Sequence, residues 1–596
     1  MSAQPLSGTR LVLTACAALL ATACTTAPAP SSSAPAATAA EAPAPATPPV
    51  KTMPANAEWT AWLSKFQIDY FAAQPMFAVS AGRHEYDGLL PDWSAEGIAK
   101  EVARLLKARA EAVAFDEATL TPHQRYEREY ALWVIDADLF WKRDAEWPFR
   151  NPAFYTVALE PSVYLTRPYA PLEVRMKAYI RYLRSLPKAA AQIRANLRMP
   201  MPETYLALGI GNFGNFPEFL RKDAPGVFAS VDDPALQKEL KEATKPAAKA
   251  MEELAAWMKK QKASATHDFA IGPERFSQML AMTERVSTPL AEVEAIGRAD
   301  LERNLAELKG ACTTYAPGED LVGCAAKANR NKPEGGPVEG ARAQLGGLRQ
   351  FIVEKDLVSI PGDEQALVME APRYQRSNFA YIDVAGPYDK GMPSVYSIAP
   401  PDPAWPKSEQ EAYLPGHADL LFATVHEVWP GHFLQFLHSN RSSFLFGQTF
   451  VGYAFAEGWA HYVEEMMWDA GLGDRSPEVH VGQLTNALLR NVRFVCAIGL
   501  HTQGMTVQEC ERLFREKGVQ DPGNARQQAA RGTYDPAYLN YTLGKLMILK
   551  LRGDWMAQQE GKGTLKRFHD ELLSYGGPPI PLVRDQMLAT RDGALF

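Results

Sequence analysis

The stretch TPHQRYEREYALWVIDADLFW, residues 121–141, carries the clearest helix signals in the chain. Thr121 suits an N-cap, Pro122 suits the first helical position, and Gln124 completes a capping box. Apolar side chains then recur at the spacing of one helix face: Tyr126, Tyr130, Trp133, Val134 and Ala137. The stretch therefore predicts an amphipathic α-helix with one buried side.

Similar helix starts recur along the chain, whereas strand signals are few and short. Thr506 and Glu509 form another capping box, in a segment that stops at Gly518. The clearest strand signal is SVYSIA, residues 394–399. We therefore predict a mainly α fold, a large multi-helix body with a small antiparallel β-sheet near residues 378–400.

Composition places most of the chain in the ordinary globular class. Of its 596 residues, 46% are hydrophobic and 22% are charged, which is enough apolar material for a large core. The formal net charge is -7, and no long cluster of lysine and arginine follows the chain. This balance argues against nucleic acid as a partner.

The N-terminus is typical of an exported protein. Arg10 precedes a short apolar run from Leu11 to Ala23 that is too short for a permanent membrane helix, so residues 1–23 are predicted to be a signal peptide. The small residues before Cys24 resemble the bacterial lipoprotein cleavage box, which would make Cys24 a lipidated first residue. Ordinary cleavage, which would release a soluble periplasmic protein, is the alternative.

The segment that follows the signal peptide differs in composition from the rest of the chain. Residues 24–56 are rich in alanine, proline, serine and threonine, which predicts a disordered linker before a helical domain over residues 57–596. Thr25 follows Cys24 where aspartate would favour retention in the inner membrane, so resemblance to lipoprotein sorting rules favours the outer membrane. The predicted location is the cell envelope, with the body of the protein in the periplasm.

Four cysteines lie in the predicted domain, an even number that permits disulfides in an exported protein. Cys312 and Cys324 flank a loop-like stretch, and we predict a bridge between them. Cys496 and Cys510 flank a predicted turn between two helices. For this second pair a bridge and two buried thiols are both open.

The stretch HEVWPGHFLQ, residues 426–435, departs from the His-Glu-x-x-His signature of zinc peptidases. His426 and His432 stand six positions apart, so on a regular helix they would point about 240° apart and could not share one ion. Pro430 removes a helical hydrogen bond and Gly431 tolerates unusual dihedral angles. We therefore predict a bulge or break between the two histidines that brings them onto one metal ion.

A second helix, predicted from VGYAFAEGWAHYVEEMMWDAGLGD, offers a third ligand at Glu457. His426, His432 and Glu457 would then leave a fourth position for water, as catalytic zinc sites do. Zinc acidifies such a water, and Glu427 is placed to take its proton and pass it to a leaving amine. The predicted chemistry is amide hydrolysis.

The developing oxyanion of such a reaction needs a further electrophile, and three downstream residues are candidates for it: His501, Tyr541 and Arg493. For His501, capping of a helix end is an equal alternative, and Tyr541 has the alternative of a core residue. Gln435, His461 and Glu464 are either groups that support the metal ligands or the polar faces of their helices. A lone His-Glu pair is usually surface polarity, but this combination favours a metal site.

The motifs HEVWPGHFLQ, FAEGWAHY, GLHTQGMT and YTLGKLMILKLR together resemble the bacterial domain of unknown function 885 family, whose pattern is HExxPGHxxQ followed by an EGWA helix. The resemblance covers roughly residues 57–596. That family is similar to gluzincin zinc metallopeptidases. The resemblance implies Zn²⁺ on His426, His432 and Glu457, Glu427 as the base, and a gluzincin-peptidase-like body with a deep central cleft.

The predicted function is a zinc-dependent peptidase that hydrolyses small peptides and is anchored to the envelope through a lipid on Cys24. One alternative is a non-catalytic envelope lipoprotein that binds a metal or a peptide. Another is a hydrolase of a different amide, such as a cell-wall peptide crosslink, because the same site chemistry would serve it.

Overall fold

The computed structural model describes residues 54–376, 379–590 and 593–596, and helices make up most of them. The predicted signal peptide, Cys24 and the predicted linker up to residue 53 lie outside the described residues. Pro54–Phe596 cluster as one unit by their contacts. Among the described residues, no helix has both the length and the apolar character needed to cross a membrane.

The first helices build the N-terminal part of the body. They are α1 Ala57–Ala73, α2 Pro75–Ser80, α3 Ala95–Ala114, α4 Pro122–Leu139, α5 Trp147–Arg150, α6 Ala153–Thr156, α7 Ser162–Thr166 and α8 Leu172–Asn196. Helix α4 begins with the predicted capping box of Thr121 and Gln124, and its apolar face, with Tyr130 and Trp133, is buried. This prediction is confirmed.

The helices that follow α8 in the chain precede the sheet. They are α9 Glu203–Glu218, α10 Ala224–Val227, α11 Pro234–Lys260, α12 Pro273–Glu284, α13 Leu290–Tyr315, α14 Leu321–Arg330 and α15 Gly336–Glu354. Asp233 caps α11, because its side chain accepts hydrogen bonds from the Ala235 and Leu236 amides.

The last helices carry most of the candidate site. They are α16 Lys407–Tyr413, α17 His417–Glu427, α18 His432–Ser439, α19 Tyr453–Asp469, α20 Pro477–Thr502, α21 Val507–Glu516, α22 Pro522–Tyr534, α23 Asn540–Gln558, α24 Leu565–Ser574 and α25 Ile580–Met587. Thr506 and Glu509 form the predicted capping box, and α21 ends just before Gly518 as expected.

The three strands form one small sheet, and it is mixed rather than antiparallel as predicted. They are β1 Ala366–Glu370, β2 Ala380–Asp383 and β3 Ser394–Ile398, in the order β1-β3-β2. Strand β2 pairs antiparallel with β3, but β1 pairs parallel with it. The sequence signal missed β1 because its apolar residues, 366–369, are consecutive and therefore show no alternation with period two.

Helices α19 and α23 approach each other closely enough to bring their backbones into contact. A Cβ atom built on Gly458 would lie 2.4 Å from the Cα atom of Gly544, so neither position accepts a larger side chain without a shift. This contact places Glu457, one residue before Gly458, next to the start of α23, where Tyr541 lies.

Both predicted cysteine pairs are disulfides. Cys312 and Cys324 join the end of α13 to α14, and their Cα atoms are 5.8 Å apart. Cys496 and Cys510 join α20 to α21 across the turn between them, with Cα atoms 5.6 Å apart. The alternative of two buried thiols at the second pair is wrong. The second bridge ties α20 to α21, and α20 also carries Arg490 and Arg493.

Candidate metal centre

The helix that carries His426 breaks before His432, as the sequence predicts. Helix α17 ends at Glu427 and α18 begins at His432, and residues 428–431 between them are not helical. Pro430 lacks the amide hydrogen that a continuous helix would need. The amide of Gly431 instead donates to the carbonyl oxygen of Val425 at 3.0 Å.

Only glycine fits at position 431. A Cβ atom there would lie 1.7 Å from the carbonyl oxygen of His426 and 2.4 Å from that of Val425. The indole of Trp459 on α19 also donates to the carbonyl oxygen of Pro430 at 2.9 Å, which ties the break to the neighbouring helix. The non-helical segment 428–431 is therefore stabilised by the close contact of Gly431 with α17 and by the hydrogen bond from Trp459 on α19.

The break brings two imidazoles to one carboxylate. The Nε2 atom of His426 lies 3.2 Å from Oε2 of Glu457, and Nε2 of His432 lies 3.1 Å from the same oxygen. The ring planes of the two histidines are nearly perpendicular, at 86°, with centres 4.8 Å apart. Both histidines are buried. The three predicted ligands are thus brought together, and we call them the cation cluster.

The spacing of the cation cluster fits a small metal ion. Ligand atoms about 2.1 Å from a tetrahedral Zn²⁺ lie roughly 3.4 Å from one another, close to the two separations that the Glu457 oxygen shows here. Two imidazole nitrogens and one carboxylate oxygen are also the ligand types that zinc prefers. Among the described residues, only His426, His432 and Glu457 bring three such ligand atoms within 4.8 Å of one another.

A carboxylate behind His426 orients its ring. Oε1 of Glu464 lies 2.7 Å from Nδ1 of His426, which leaves Nε2 to face Glu457. Arg490 on α20 pairs with the same Glu464 oxygen at 3.0 Å. Burial alone would raise the pKa of Glu464, but Arg490 and His426 outweigh it and hold that pKa well below its usual range. Glu464 therefore stays ionised.

The other residues weighed as supports of the ligands differ in their positions. Nδ1 of His461 lies 3.4 Å from Glu464 without hydrogen-bond geometry, and burial lowers the pKa of His461 to about 4. Gln435 donates to the Ser439 hydroxyl rather than to His432. Within the described residues, Nδ1 of His432 has no hydrogen-bond partner. Only His426 therefore has a carboxylate behind it.

Glu427 lies beside the cation cluster without belonging to it. Its carboxyl is buried and lines two cavities, of about 1280 Å³ and about 510 Å³, that meet at His426, Glu427 and Tyr541. Burial raises the pKa of Glu427, against the opposing effect of His432 and His426. A carboxylate with a raised pKa at the wall of a cavity is suited to exchange protons there.

Tyr541 forms the wall between the two cavities. Its ring is nearly parallel to that of His426, at 17°, with centres 5.9 Å apart. Arg531 on α22 donates to the Tyr541 hydroxyl at 3.4 Å and to the Tyr453 hydroxyl at 2.8 Å. Burial raises the pKa of Tyr541, so its hydroxyl keeps its proton near neutral pH and can donate a hydrogen bond.

Arg493 also belongs to the site, whereas His501 does not. The guanidinium carbon of Arg493 lies 4.5 Å from the centre of the Tyr541 ring, and the side chain lines the larger cavity. Nε2 of His501 instead donates to the carbonyl oxygen of Gly532 at 2.7 Å, and the ring contacts that of Phe276. It lines neither cavity, so its position is that of a packing residue.

Three site residues were not found from the sequence: Arg490, Arg531 and Tyr453. Arg490 had a usable signal, because it stands three positions before Arg493 inside the otherwise apolar helix that contains NALLRNVRFVCAIGL. Charged residues inside an apolar helix need partners, and here the partner is Glu464. Arg531 and Tyr453 lie on helices far apart in the chain, and nothing local in the sequence pairs them.

Comparisons with known proteins are consistent with this fold. Residues 75–587 match the family described as "Bacterial protein of unknown function (DUF885)", so the chain belongs to this family. A solved structure of a "putative lipoprotein of unknown function" from Shewanella oneidensis is 22% identical, with a TM-score of 0.70 over 89% of this chain and 100% of that one.

A second solved structure, a "putative lipoprotein" from Colwellia psychrerythraea, is 17% identical, with a TM-score of 0.75 over 89% of this chain and 98% of that one. At these identities the likeness concerns the fold alone. No curated protein matches the chain.

Proposed function

We propose that the protein is a zinc-dependent peptidase of the cell envelope that hydrolyses small peptides. The observation that carries the proposal is the convergence of His426, His432 and Glu457, with the buried carboxyl of Glu427 next to them at the wall of both cavities. Two imidazoles, a carboxylate ligand and an adjacent free carboxyl form the residue set of a hydrolytic zinc site.

Glu427 is the proposed general base. Zn²⁺ held by the cation cluster would supply Lewis acidity toward water and toward the substrate carbonyl. The Glu427 carboxylate accepts a proton from water at the junction of the cavities and then donates it to the leaving amine. Its raised pKa favours this double role, because a carboxyl that holds a proton more readily is a better acid in the second step.

Tyr541 is the proposed hydrogen-bond donor to the substrate. Its hydroxyl receives a hydrogen bond from Arg531, which leaves its own proton to be donated to a carbonyl oxygen as negative charge develops there. Its ring packs parallel to that of His426, so the donor and the metal ligand face the same part of the cavity wall.

The size of the cavities supports short substrates. The two cavities, of about 1280 Å³ and about 510 Å³, share a border at the proposed reaction centre, so a peptide bond placed there has one cavity on each side. The smaller cavity has aromatic walls, including Phe213, Phe216 and Tyr374. We infer that the two cavities together form the substrate cleft of a gluzincin-like peptidase.

The cell-envelope location rests on the N-terminal sequence. Cys24 after a short apolar run predicts a lipid anchor, and two solved structures of similar fold are each described as a "putative lipoprotein". The proposed orientation places residues 57–596 in the periplasm, attached to the outer membrane.

Metal analysis combined with a peptide-library cleavage assay tests the proposal. We expect one zinc per chain and peptide cleavage in the wild type, and in Glu427→Gln full zinc content with kcat lowered by roughly 10²- to 10⁴-fold. Zinc retention with no cleavage in either protein would favour the binding lipoprotein instead. Absence of zinc after loading and dialysis would remove the basis of the peptidase and of a metal-binding lipoprotein, and would leave a peptide-binding one.

A further inference from the structure

Arg493 is a buried cation at the wall of the larger cavity. Its side chain is 4% exposed, and it shares this cavity with His426, Glu427 and Tyr541. The guanidinium carbon of Arg493 lies 4.5 Å from the centre of the Tyr541 ring, and the centre of the His426 ring lies 5.9 Å from the same point. Arg493 and His426 therefore both pack against Tyr541, and they lie no more than about 10 Å apart.

Arg493 lacks the carboxylate partner that its neighbours have. Two guanidinium groups, those of Arg493 and Arg531, lie near the Tyr541 ring, and Arg490 lines the larger cavity together with Arg493. Arg490 pairs with Glu464 at 3.0 Å, and Arg531 pairs with Asp535 at 2.9 Å. Within the part of the chain that the structure describes, Arg493 forms no ion pair, and its Nε donates to the neutral amide oxygen of Gln528 at 2.9 Å.

An unpaired buried guanidinium favours an anionic ligand. Arginine keeps its charge at any physiological pH, and a buried charge without a counter-ion is costly. The planar group matches a carboxylate, which it can bind through two parallel hydrogen bonds. A carboxylate that enters the cavity would neutralise the charge of Arg493, as Glu464 does for Arg490 and Asp535 does for Arg531.

We propose that Arg493 binds the C-terminal carboxylate of the peptide substrate, so that the protein cleaves close to the C-terminal end. This inference rests on the proposed peptidase function. The chain advances about 3.3 to 3.6 Å per residue. A separation of at most about 10 Å between Arg493 and His426 thus leaves room for one or two residues after the cleaved bond.

Matched peptides and variants of the full-length, zinc-loaded protein test this role. The probes are an N-acetylated tripeptide acid that begins with phenylalanine, its C-terminal amide, and an amide with aspartate in the last position. Cleavage is measured as kcat/KM. Binding is measured as Kd in the Glu427→Gln background, in which the expected turnover is too slow to consume the peptides during the measurement.

We expect the wild type to favour the acid over the plain amide by roughly 10- to 100-fold in both kcat/KM and Kd. Arg493→Gln should remove this preference by weakening the acid alone, and Arg493→Lys should retain part of it. The charge-matched control is Arg526→Gln on α22, which lines neither cavity and should leave the preference unchanged. Circular dichroism and thermal midpoints check that each variant folds.

Three outcomes would overturn the assignment. The first is equal treatment of acid and amide by the wild type, and the second is an Arg493→Gln variant that weakens both alike, which indicates a structural role. The third is an aspartate amide that binds as tightly as the acid, which assigns Arg493 to a side-chain carboxylate. If no peptide is cleaved but the Arg493-dependent binding preference holds, the peptidase proposal fails and carboxylate binding stands.

Discussion

Two histidines of the described residues lie between carboxylates, the buried His426 and the partly exposed His84. Nδ1 of His84 lies 3.0 Å from Asp87, and its Nε2 lies 2.8 Å from Asp389. Nδ1 of His426 likewise faces Glu464, and its Nε2 faces Glu457. Each of the two histidines therefore has one carboxylate at each of its ring nitrogens.

They differ in where the nitrogen atoms point. Around His84 the two carboxylates lie on opposite edges of one ring, the ring of Tyr169 stacks on it at 3.5 Å, and Arg167 closes the group by pairing with Asp389 at 3.2 Å. We call His84, Asp87, Asp389 and Arg167 the His84 cluster. In the cation cluster, a second imidazole converges on the same Glu457 oxygen. Convergence of several lone pairs at a cavity wall distinguishes a cation site from an ion-pair network.

The strongest test of this difference replaces one histidine in each cluster with alanine and compares the zinc content of the two variants. We expect His432→Ala to lose stoichiometric zinc, because two remaining protein ligands hold zinc weakly. His84→Ala should keep one zinc per chain. Metal analysis after dialysis against a weak chelator measures both. Loss of zinc from His84→Ala alone would reverse the assignment of the two clusters.

The His84 cluster should matter for stability instead. Arg167 is 1% exposed and pairs with both Asp383 and Asp389, so Arg167→Met removes the guanidinium from both carboxylates and leaves Asp389 with His84 alone. We expect the free energy of unfolding to fall by about 3–5 kcal/mol, with zinc content unchanged. Chemical denaturation measures the change.

The matched control for this variant is Arg184→Met, whose ion pair with Glu239 is exposed on both sides. It should cost less than about 1 kcal/mol. Equal losses in Arg167→Met and Arg184→Met would show that the buried network contributes nothing beyond a surface ion pair.

A smaller effect is expected from the carboxylate behind His426. Glu464→Gln keeps the shape of the side chain but removes the charge that orients the imidazole, so zinc affinity should fall by about 10- to 100-fold. Glu465→Gln is the control, because Glu465 points to Lys545 and Arg303 instead. Competition with a chromophoric chelator measures both affinities, and equal affinities in the two variants would contradict the orienting role.

The smallest effect is a pH dependence of stability that comes from the His84 cluster. Burial alone would lower the pKa of His84, but its hydrogen bonds to Asp389 and Asp87 raise it to about 9. Because the folded pKa exceeds the unfolded one, the stabilisation is complete below about pH 6.5 and is lost as the pH rises through about 9.

The difference in unfolding free energy between wild type and His84→Gln should therefore be about 1 kcal/mol or more at pH 6 and shrink toward pH 9.5. Denaturant titrations at the two pH values measure it. A difference that grows with pH would contradict a protonated His84.

Local features of the site followed from the sequence because they depend on neighbours in the chain. Proline and glycine at positions 430 and 431 must interrupt a helix wherever it packs, so the break between His426 and His432 was predictable. The capping box at Thr121 has the same character, since a side chain there reaches an amide only three residues away.

Other features depended on partners that lie far away in the chain. Arg490 meets Glu464 from another helix, and His501, despite its placement in a motif, points to Gly532 instead of the cavity. Strand β1 pairs parallel with β3 although it exposes much of its length, because its place is set by the sheet and not by its own pattern. The position of Arg490 inside an apolar helix indicates that it needs a partner, but nothing in the local sequence identifies Glu464 as that partner or distinguishes the other two outcomes from their alternatives.

By itself, the sequence of this protein determined a mainly helical body, the interruption of one helix and the residue types that could hold a cation, since dihedral limits and capping act over a few residues. Only the tertiary structure decided that the Glu457 oxygen meets both imidazoles, that Glu464 and Arg490 stand behind them, and that Arg493 has no carboxylate partner among the described residues. Such outcomes depend on distances of a few ångströms between helices, which packing alone sets.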